Sequence, residues 1–111
     1  MPNPVLPPTV QSALNTVKDA LTSIYGRRLS AIYLYGSYAR GDFRDDSDVD
    51  LMIALKGDVN PGQEVDRLSK VLSDISLDYN LLISTYAVPE NWIAERHGPL
   101  FVNVRREGVQ L

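Results

Sequence analysis

The sequence predicts an α/β fold in which a small mixed sheet of three or four strands is flanked by helices. Two stretches, Val10 to Ile24 and Gly62 to Ser76, carry apolar residues at helical spacing. Shorter runs rich in β-branched and aromatic residues lie between and after them, and such runs are typical of strands. Helices that alternate with strands along one chain imply a layered sheet and not a helix bundle.

Local signals set the bounds of each expected element. Thr9 follows two prolines and is expected to cap the first helix, which Gly26 would end. A turn of helix is expected to follow the first strand. The predicted strands are 31–35, 49–55 and 77–85, and the later predicted helices are 62–76, 90–96 and one from Pro99 to a cap at Gly108.

Length and composition limit the classes of function. The 111 residues fit a single domain, assigned to residues 9–111 after a proline-rich segment at residues 1–8. The absence of cysteine excludes thiolate nucleophiles, disulfides and cysteine-bound zinc, and it agrees with a cytoplasmic location. The net charge of −3 argues against a strong nucleic-acid patch. No apolar run approaches the roughly 18 residues expected of a membrane helix.

Two aspartates mark the start of the second strand. Side chains alternate along a strand, so Asp48 and Asp50 should share one face while Val49 and Leu51 point into a core. Neighbouring carboxylates repel each other unless a cation lies between them, and oxygen ligands favour Mg²⁺ or Mn²⁺. An isolated Asp-x-Asp is more often a solvated strand end, so the pair needs support from other residues.

That support comes from the turn after the first strand. A glycine at position 36 lets backbone approach a ligand closely, and the hydroxyl of Ser37 can hold phosphate oxygens. Arg40 lies one helical turn later and could add a charge-assisted contact to the same phosphates. Taken without the aspartates, Gly36 and Ser37 would be interpreted as a tight turn with a capping serine.

A second metal ion would require a third carboxylate, and Asp78 is the best candidate. It lies at the start of the predicted third strand, as Asp48 and Asp50 lie at the start of the second. If these two strands are neighbours, the three carboxylates converge on one site of the two-metal type. The alternative is an exposed aspartate at the beginning of a strand.

Two segments together resemble the signature of the DNA polymerase β-like nucleotidyltransferase superfamily. They are Gly-Ser-Tyr-Ala-Arg-Gly-Asp at 36–42 and Ser-Asp-Val-Asp-Leu at 47–51. The best match is the minimal nucleotidyltransferase branch, the MNT proteins, which pair with HEPN-domain partners and include antitoxins. The tail from Gly98 to Val109 is similar to the end of such proteins, so the resemblance covers most of the chain and implies the polymerase β-like nucleotidyltransferase fold.

The resemblance also implies roles for individual residues. Gly36 and Ser37 would contact the triphosphate of an NTP, with Arg40 assisting. Asp48 and Asp50 would hold Mg²⁺ or Mn²⁺. In larger relatives a second domain holds the acceptor, and such a domain is not expected here.

Asp78 would match the third acid of the family, which could act as general base and third metal ligand. The implied reaction is attack of an acceptor hydroxyl, on protein or RNA, at the α-phosphate of ATP, with release of pyrophosphate. A HEPN-type toxin is the implied partner, and assembly with it or with further copies is expected. The alternative is a catalytically weak adaptor that binds and restrains such a toxin. An unrelated small α/β binding domain with an incidental aspartate pair is a third hypothesis.

Overall fold

A computed structural model of the chain describes residues 5–111 and shows a four-stranded mixed sheet with helices on both faces. Its elements are α1 Pro8–Tyr25, β1 Leu29–Tyr35, α2 Ser37–Arg40, β2 Val49–Leu55, α3 Pro61–Tyr79, β3 Ile83–Pro89, α4 Glu90–Glu95, α5 Pro99–Glu107 and β4 Val109–Gln110. The predicted α/β class is therefore confirmed. Residues 1–4 of the expected N-terminal segment lie outside the described residues.

The strand order is β3-β2-β1-β4, which makes β2 and β1 the central pair. β1 runs antiparallel to both β2 and β4, whereas β3 runs parallel to β2. β2 has the bounds predicted from its apolar run. Its residues Val49, Leu51 and Ile53 pack with α1 and α3 on one face of the sheet. On the other face Met52 packs with Phe101 and other residues of α4 and α5.

Helix α1 begins one residue before the predicted cap. Pro8 occupies its first position, so Thr9 already lies inside the first turn and is not the cap. The helix ends at Gly26, whose φ is +54°, as predicted. Its buried last residue is Tyr25, the hydroxyl of which donates a hydrogen bond to Glu64 Oε1 of α3 at 2.6 Å. Arg67 Nε lies 3.0 Å from the same oxygen.

The predicted third strand at 77–85 is wrong over its first six residues, 77–82. Helix α3 continues to Tyr79, Asn80 caps it with φ +53°, and β3 begins only at Ile83. Tyr79 extends the inward row of the helix and its hydroxyl lies 2.7 Å from Thr16 Oγ1 of α1, which favours helix over strand here. Asp78 therefore lies exposed on the last turn of α3 and not on a strand.

The C-terminal segment returns to the sheet. Helix α5 ends at Gly108, as predicted, but this residue has an ordinary φ of −63°. A Cβ there would collide with the carbonyl oxygen of Val104, so close approach explains the glycine. The two residues of β4 then pair with Tyr33 and Leu34 of β1. The sequence did not predict β4.

Within residues 5–111, no helix combines the length and the apolar character that crossing a membrane would require.

Candidate active site

The turn after β1 lies directly against the start of β2. Tyr35 and Asp50 face each other in the antiparallel register, and Gly36 follows with φ +80° and ψ −157°. A Cβ on Gly36 would lie 2.5 Å from Asp50 Oδ2. Glycine is therefore required both by the backbone conformation and by the carboxylate beside it. The structure thus brings together the glycine-serine turn and the aspartate pair that the sequence singled out.

The two aspartates differ in their surroundings. Asp48 is exposed and ends the loop before β2, whereas Asp50 is half-buried within the strand. Burial raises the pKa of Asp50, the charge of Asp48 raises it further, and Arg40 opposes both effects. Two neighbouring carboxylates, one of them half-buried with a raised pKa, are a donor set that fits a hard divalent cation.

The loop that leads to Asp48 is held by packing and by one short hydrogen bond. Phe43 stacks on the buried ring of Tyr38, with ring centroids 4.6 Å apart. The backbone N–H of Arg44 donates to Ser47 Oγ at 2.7 Å. These contacts fix both ends of the turn at 44–47, so Asp48 enters the site from an anchored loop.

Arg40 is oriented by two carboxylates. Its Nε donates to Asp42 Oδ2 at 3.2 Å, and its NH1 group donates to Glu107 Oε1 at 3.1 Å. The bond to Asp42 and the charge of Glu107 raise the pKa of the Arg40 guanidinium. The same Glu107 oxygen accepts a hydrogen bond from the backbone N–H of Gly36 at 3.2 Å. Glu107 therefore occupies two of the donors that were predicted to face phosphate.

The third carboxylate is not brought into this site. Asp78 lies on α3, which packs on the face of the sheet opposite to the side chain of Asp50. Within residues 5–111, no three His, Asp or Glu side chains are grouped so that they could hold a metal ion. The residue that lies beside Asp50 on the parallel strand is Ser84, which the sequence analysis did not single out.

The comparison with known sequences decides the family. Residues 17–95 match the family described as "Polymerase beta, Nucleotidyltransferase". The chain belongs to this family. The "Putative protein adenylyltransferase MJ0604" of Methanocaldococcus jannaschii is 34% identical over 105 residues, which span 88% of this chain and 93% of that protein.

Solved structures share the nucleotidyltransferase fold. A toxin–antitoxin crystal structure with AMP-PNP superposes with a TM-score of 0.62 at 18% identity, over 86% of this chain and 69% of that one. The structure described as "putative minimal nucleotidyltransferase" gives a TM-score of 0.52 at 24% identity, over 90% of this chain and 94% of that one. The chain thus has the same fold as these structures.

In this nucleotidyltransferase the family match contains the turn and the aspartate pair, whereas Glu107 lies beyond it. The sequence offered little to identify Glu107, which appears there as an ordinary acid at a helix end. Only the return of the chain through β4 to β1 places its carboxylate on the turn.

Proposed function

We propose that this nucleotidyltransferase transfers AMP from ATP to a hydroxyl group of a partner protein, using Mg²⁺ or Mn²⁺ held by Asp48 and Asp50. The observation that carries the proposal is the contact between Gly36 and the carboxylate of Asp50. A turn suited to binding phosphate is in direct contact with a carboxylate pair suited to binding a cation. Metal–NTP is the ligand that needs both at once.

The roles of the protein groups follow from their chemistry. The hydroxyl of Ser37 and the guanidinium of Arg40 bind triphosphate oxygens. Because Glu107 already accepts hydrogen bonds from Gly36 and Arg40, the triphosphate competes with this carboxylate for those donors. A bound cation supplies charge neutralisation at the phosphates.

The transfer itself is a displacement at the α-phosphorus. The acceptor oxygen forms a bond to this atom, the bond to the bridging oxygen breaks, pyrophosphate leaves, and the hydroxyl proton is lost to water. Holding both reactants in line on a rigid sheet supplies much of the acceleration. Asp78 has no part in this proposal because α3 carries it on the opposite side of the sheet from Asp50.

Two comparisons support a protein acceptor and a partner. The relative from M. jannaschii carries the name of a protein adenylyltransferase, and one structure of the same fold is a toxin–antitoxin complex with AMP-PNP. We extend both to this chain: the acceptor is a toxin of the HEPN type, and the reaction takes place in the cytoplasm, where ATP is available.

A second candidate is an adaptor that binds and restrains the same toxin without efficient transfer. Two observations favour it. The site has two carboxylates, whereas transfer with two metal ions commonly uses more than two. Glu107 also accepts hydrogen bonds from groups that were expected to bind phosphate. Nucleotide could then bind while turnover remains slow.

Labelling separates the two candidates. The purified chain is incubated with Mg²⁺ and each of the four α-³²P NTPs, with and without the protein encoded by the neighbouring gene. We expect label from ATP on that partner and its loss in Asp50→Asn. Asp66→Asn, an exposed change on α3, is the matched control and should keep activity. Stable partner binding without label from any nucleotide would favour the adaptor.

A further inference from the structure

The parallel register of β2 and β3 identifies the immediate neighbour of Asp50. Asp50 is paired with Ser84, Val49 with Ile83, and the N–H of Val49 donates to Leu82 O at 2.8 Å. Residues in register on adjacent strands point to the same face and lie about 4.8 Å apart. The side chain of Ser84 therefore shares the face of Asp50, and it is exposed.

The other strand positions beside the aspartate pair carry no carboxylate. On the antiparallel side Asp50 is paired with Tyr35. Leu82, next to the strand position of Asp48, is an exposed apolar residue. Asp48 and Asp50 are thus flanked across the sheet by a serine, a tyrosine and a leucine.

We infer that this chain holds a single cation with its nucleotide, and that Ser84 occupies the strand position from which a third carboxylate would complete a site for two cations. The inference rests on the proposed function, because it assumes that metal–nucleotide binds at Asp48 and Asp50. A hydroxyl is a weak, uncharged ligand, whereas two cations close together need more negative charge around them. A second cation would therefore require an oxygen ligand from the acceptor or partner.

Counting bound Mn²⁺ by electron paramagnetic resonance tests this inference directly. The wild-type chain, saturated with a non-hydrolysable ATP analogue, should bind a single Mn²⁺ tightly. Ser84→Asp should tighten binding of a second Mn²⁺ by about tenfold or more, because each added anionic ligand raises affinity for a hard cation. Its spectrum should show coupling between the ions, since paired metal sites have spacings of about 3.5–4 Å. Ser84→Ala should resemble wild type.

Ser73→Asp is the matched control, since it adds the same charge at an exposed position of α3. It should leave the Mn²⁺ count at the wild-type value. Thermal unfolding gives a second readout without nucleotide. Ser84→Asp should lower the Tm in chelator by like-charge repulsion with Asp50, and Mg²⁺ should raise its Tm more than that of wild type.

Two tightly bound, coupled Mn²⁺ ions in the wild-type chain would overturn the inference while leaving the proposed function intact. This measurement needs no variant, so a failure of Ser84→Asp to fold would not remove the test. An equal Mn²⁺ count for Ser84→Asp and Ser73→Asp would also overturn it, because position 84 would then not face the cation. If the wild-type chain bound neither nucleotide nor Mn²⁺, the proposed function itself would fail.

Discussion

Gly36 and Asp50 are fitted to each other: a Cβ at position 36 would lie 2.5 Å from the carboxylate oxygen of Asp50. The turn and the carboxylate therefore form one unit, although fourteen positions separate them in the chain. A side chain added at position 36 would displace this carboxylate. This contact links the turn expected to bind phosphate to the carboxylate expected to bind metal.

Gly36→Ala tests this contact. Besides colliding with Asp50, alanine would be forced into a backbone conformation that almost only glycine adopts. This conformation should lower the free energy of unfolding by about 1–3 kcal/mol. We expect a lower Tm and loss of binding of a Mn²⁺–ATP analogue, measured by thermal unfolding and calorimetry. Gly57→Ala is the matched control, because Gly57 has a similar φ of +79° with no atom within 4 Å of the added Cβ.

The loss of stability caused by Gly36→Ala beyond that of Gly57→Ala should come mainly from the collision. It should shrink when Gly36→Ala is combined with Asp50→Ala, since the clashing carboxylate is then absent. Equal losses for Gly36→Ala and Gly57→Ala would show that only backbone conformation matters at position 36.

The raised pKa of Asp50 predicts a pH-dependent effect of Asp50→Asn. The folded state releases this proton at higher pH than the unfolded chain, so ionised Asp50 destabilises the fold at neutral pH. Below the unfolded pKa of about 3.9 both states are protonated and the penalty is absent. In chelator, Asp50→Asn should raise the Tm at neutral pH, and this gain should vanish at about pH 3.

Adding Mg²⁺ should raise the Tm of the wild-type protein and leave Asp50→Asn nearly unchanged. Asp66→Asn provides the comparison for a simple change in net charge. A Tm of Asp50→Asn below wild type at neutral pH in chelator would contradict this account.

Tyr25→Phe should weaken the link between α1 and α3. The variant removes the 2.6 Å hydrogen bond to Glu64, a carboxylate that is only 3% exposed. Taking a partner from a buried carboxylate should lower the free energy of unfolding by about 1–3 kcal/mol, measured in urea. In a Glu64→Gln background the same change should have a smaller effect, and additive losses would argue against a direct interaction.

Glu107 should affect stability and nucleotide binding in opposite directions. Glu107→Gln keeps an oxygen that can accept a hydrogen bond from Gly36 N–H but removes a charge near the proposed triphosphate site. We expect the ATP analogue to bind about two- to fivefold more tightly, because one repulsive interaction between partly exposed charges is removed. Glu107→Ala should unfold at a lower Tm than Glu107→Gln, because it loses the hydrogen bonds to both Gly36 and Arg40.

Isothermal titration with the ATP analogue gives the affinities, and Glu95→Gln on α4 controls for net charge. Weaker binding by Glu107→Gln would mean that the carboxylate holds the turn ready for nucleotide and does not compete with it.

Short-range patterns were enough to predict the strand that carries the aspartates. The apolar run from Val49 to Leu55 gave the bounds of β2, and its alternation placed Asp48 and Asp50 on one face. The glycine turn before α2 was also predicted, because glycine signals are local. These features depend only on residues a few positions apart.

Features that depend on distant parts of the chain were missed. The segment from Leu77 to Leu82 is compatible with helix or strand, and contact of Tyr79 with Thr16 decides for helix, which carries Asp78 away from the pair. Two-residue β4 has no pattern to detect, so Glu107 was not identified as a partner of Gly36. Strand register is likewise a tertiary property, so Ser84 could not be placed beside Asp50.

Because β2 lies inside the sheet, Asp50 on this strand is held more firmly than Asp48, which precedes the strand. Strand neighbours on both sides and packed faces should make the amides of β2 among the slowest to exchange with deuterium. The backbone at Asp50 is thus held by strand pairing on both sides, whereas Asp48 follows a loop that is held by the turn at 44–47 and not by strand pairing. If the proposed function holds, a firmly held ligand beside a less constrained one should accept ions of different radius and release a metal–pyrophosphate product without unfolding the sheet.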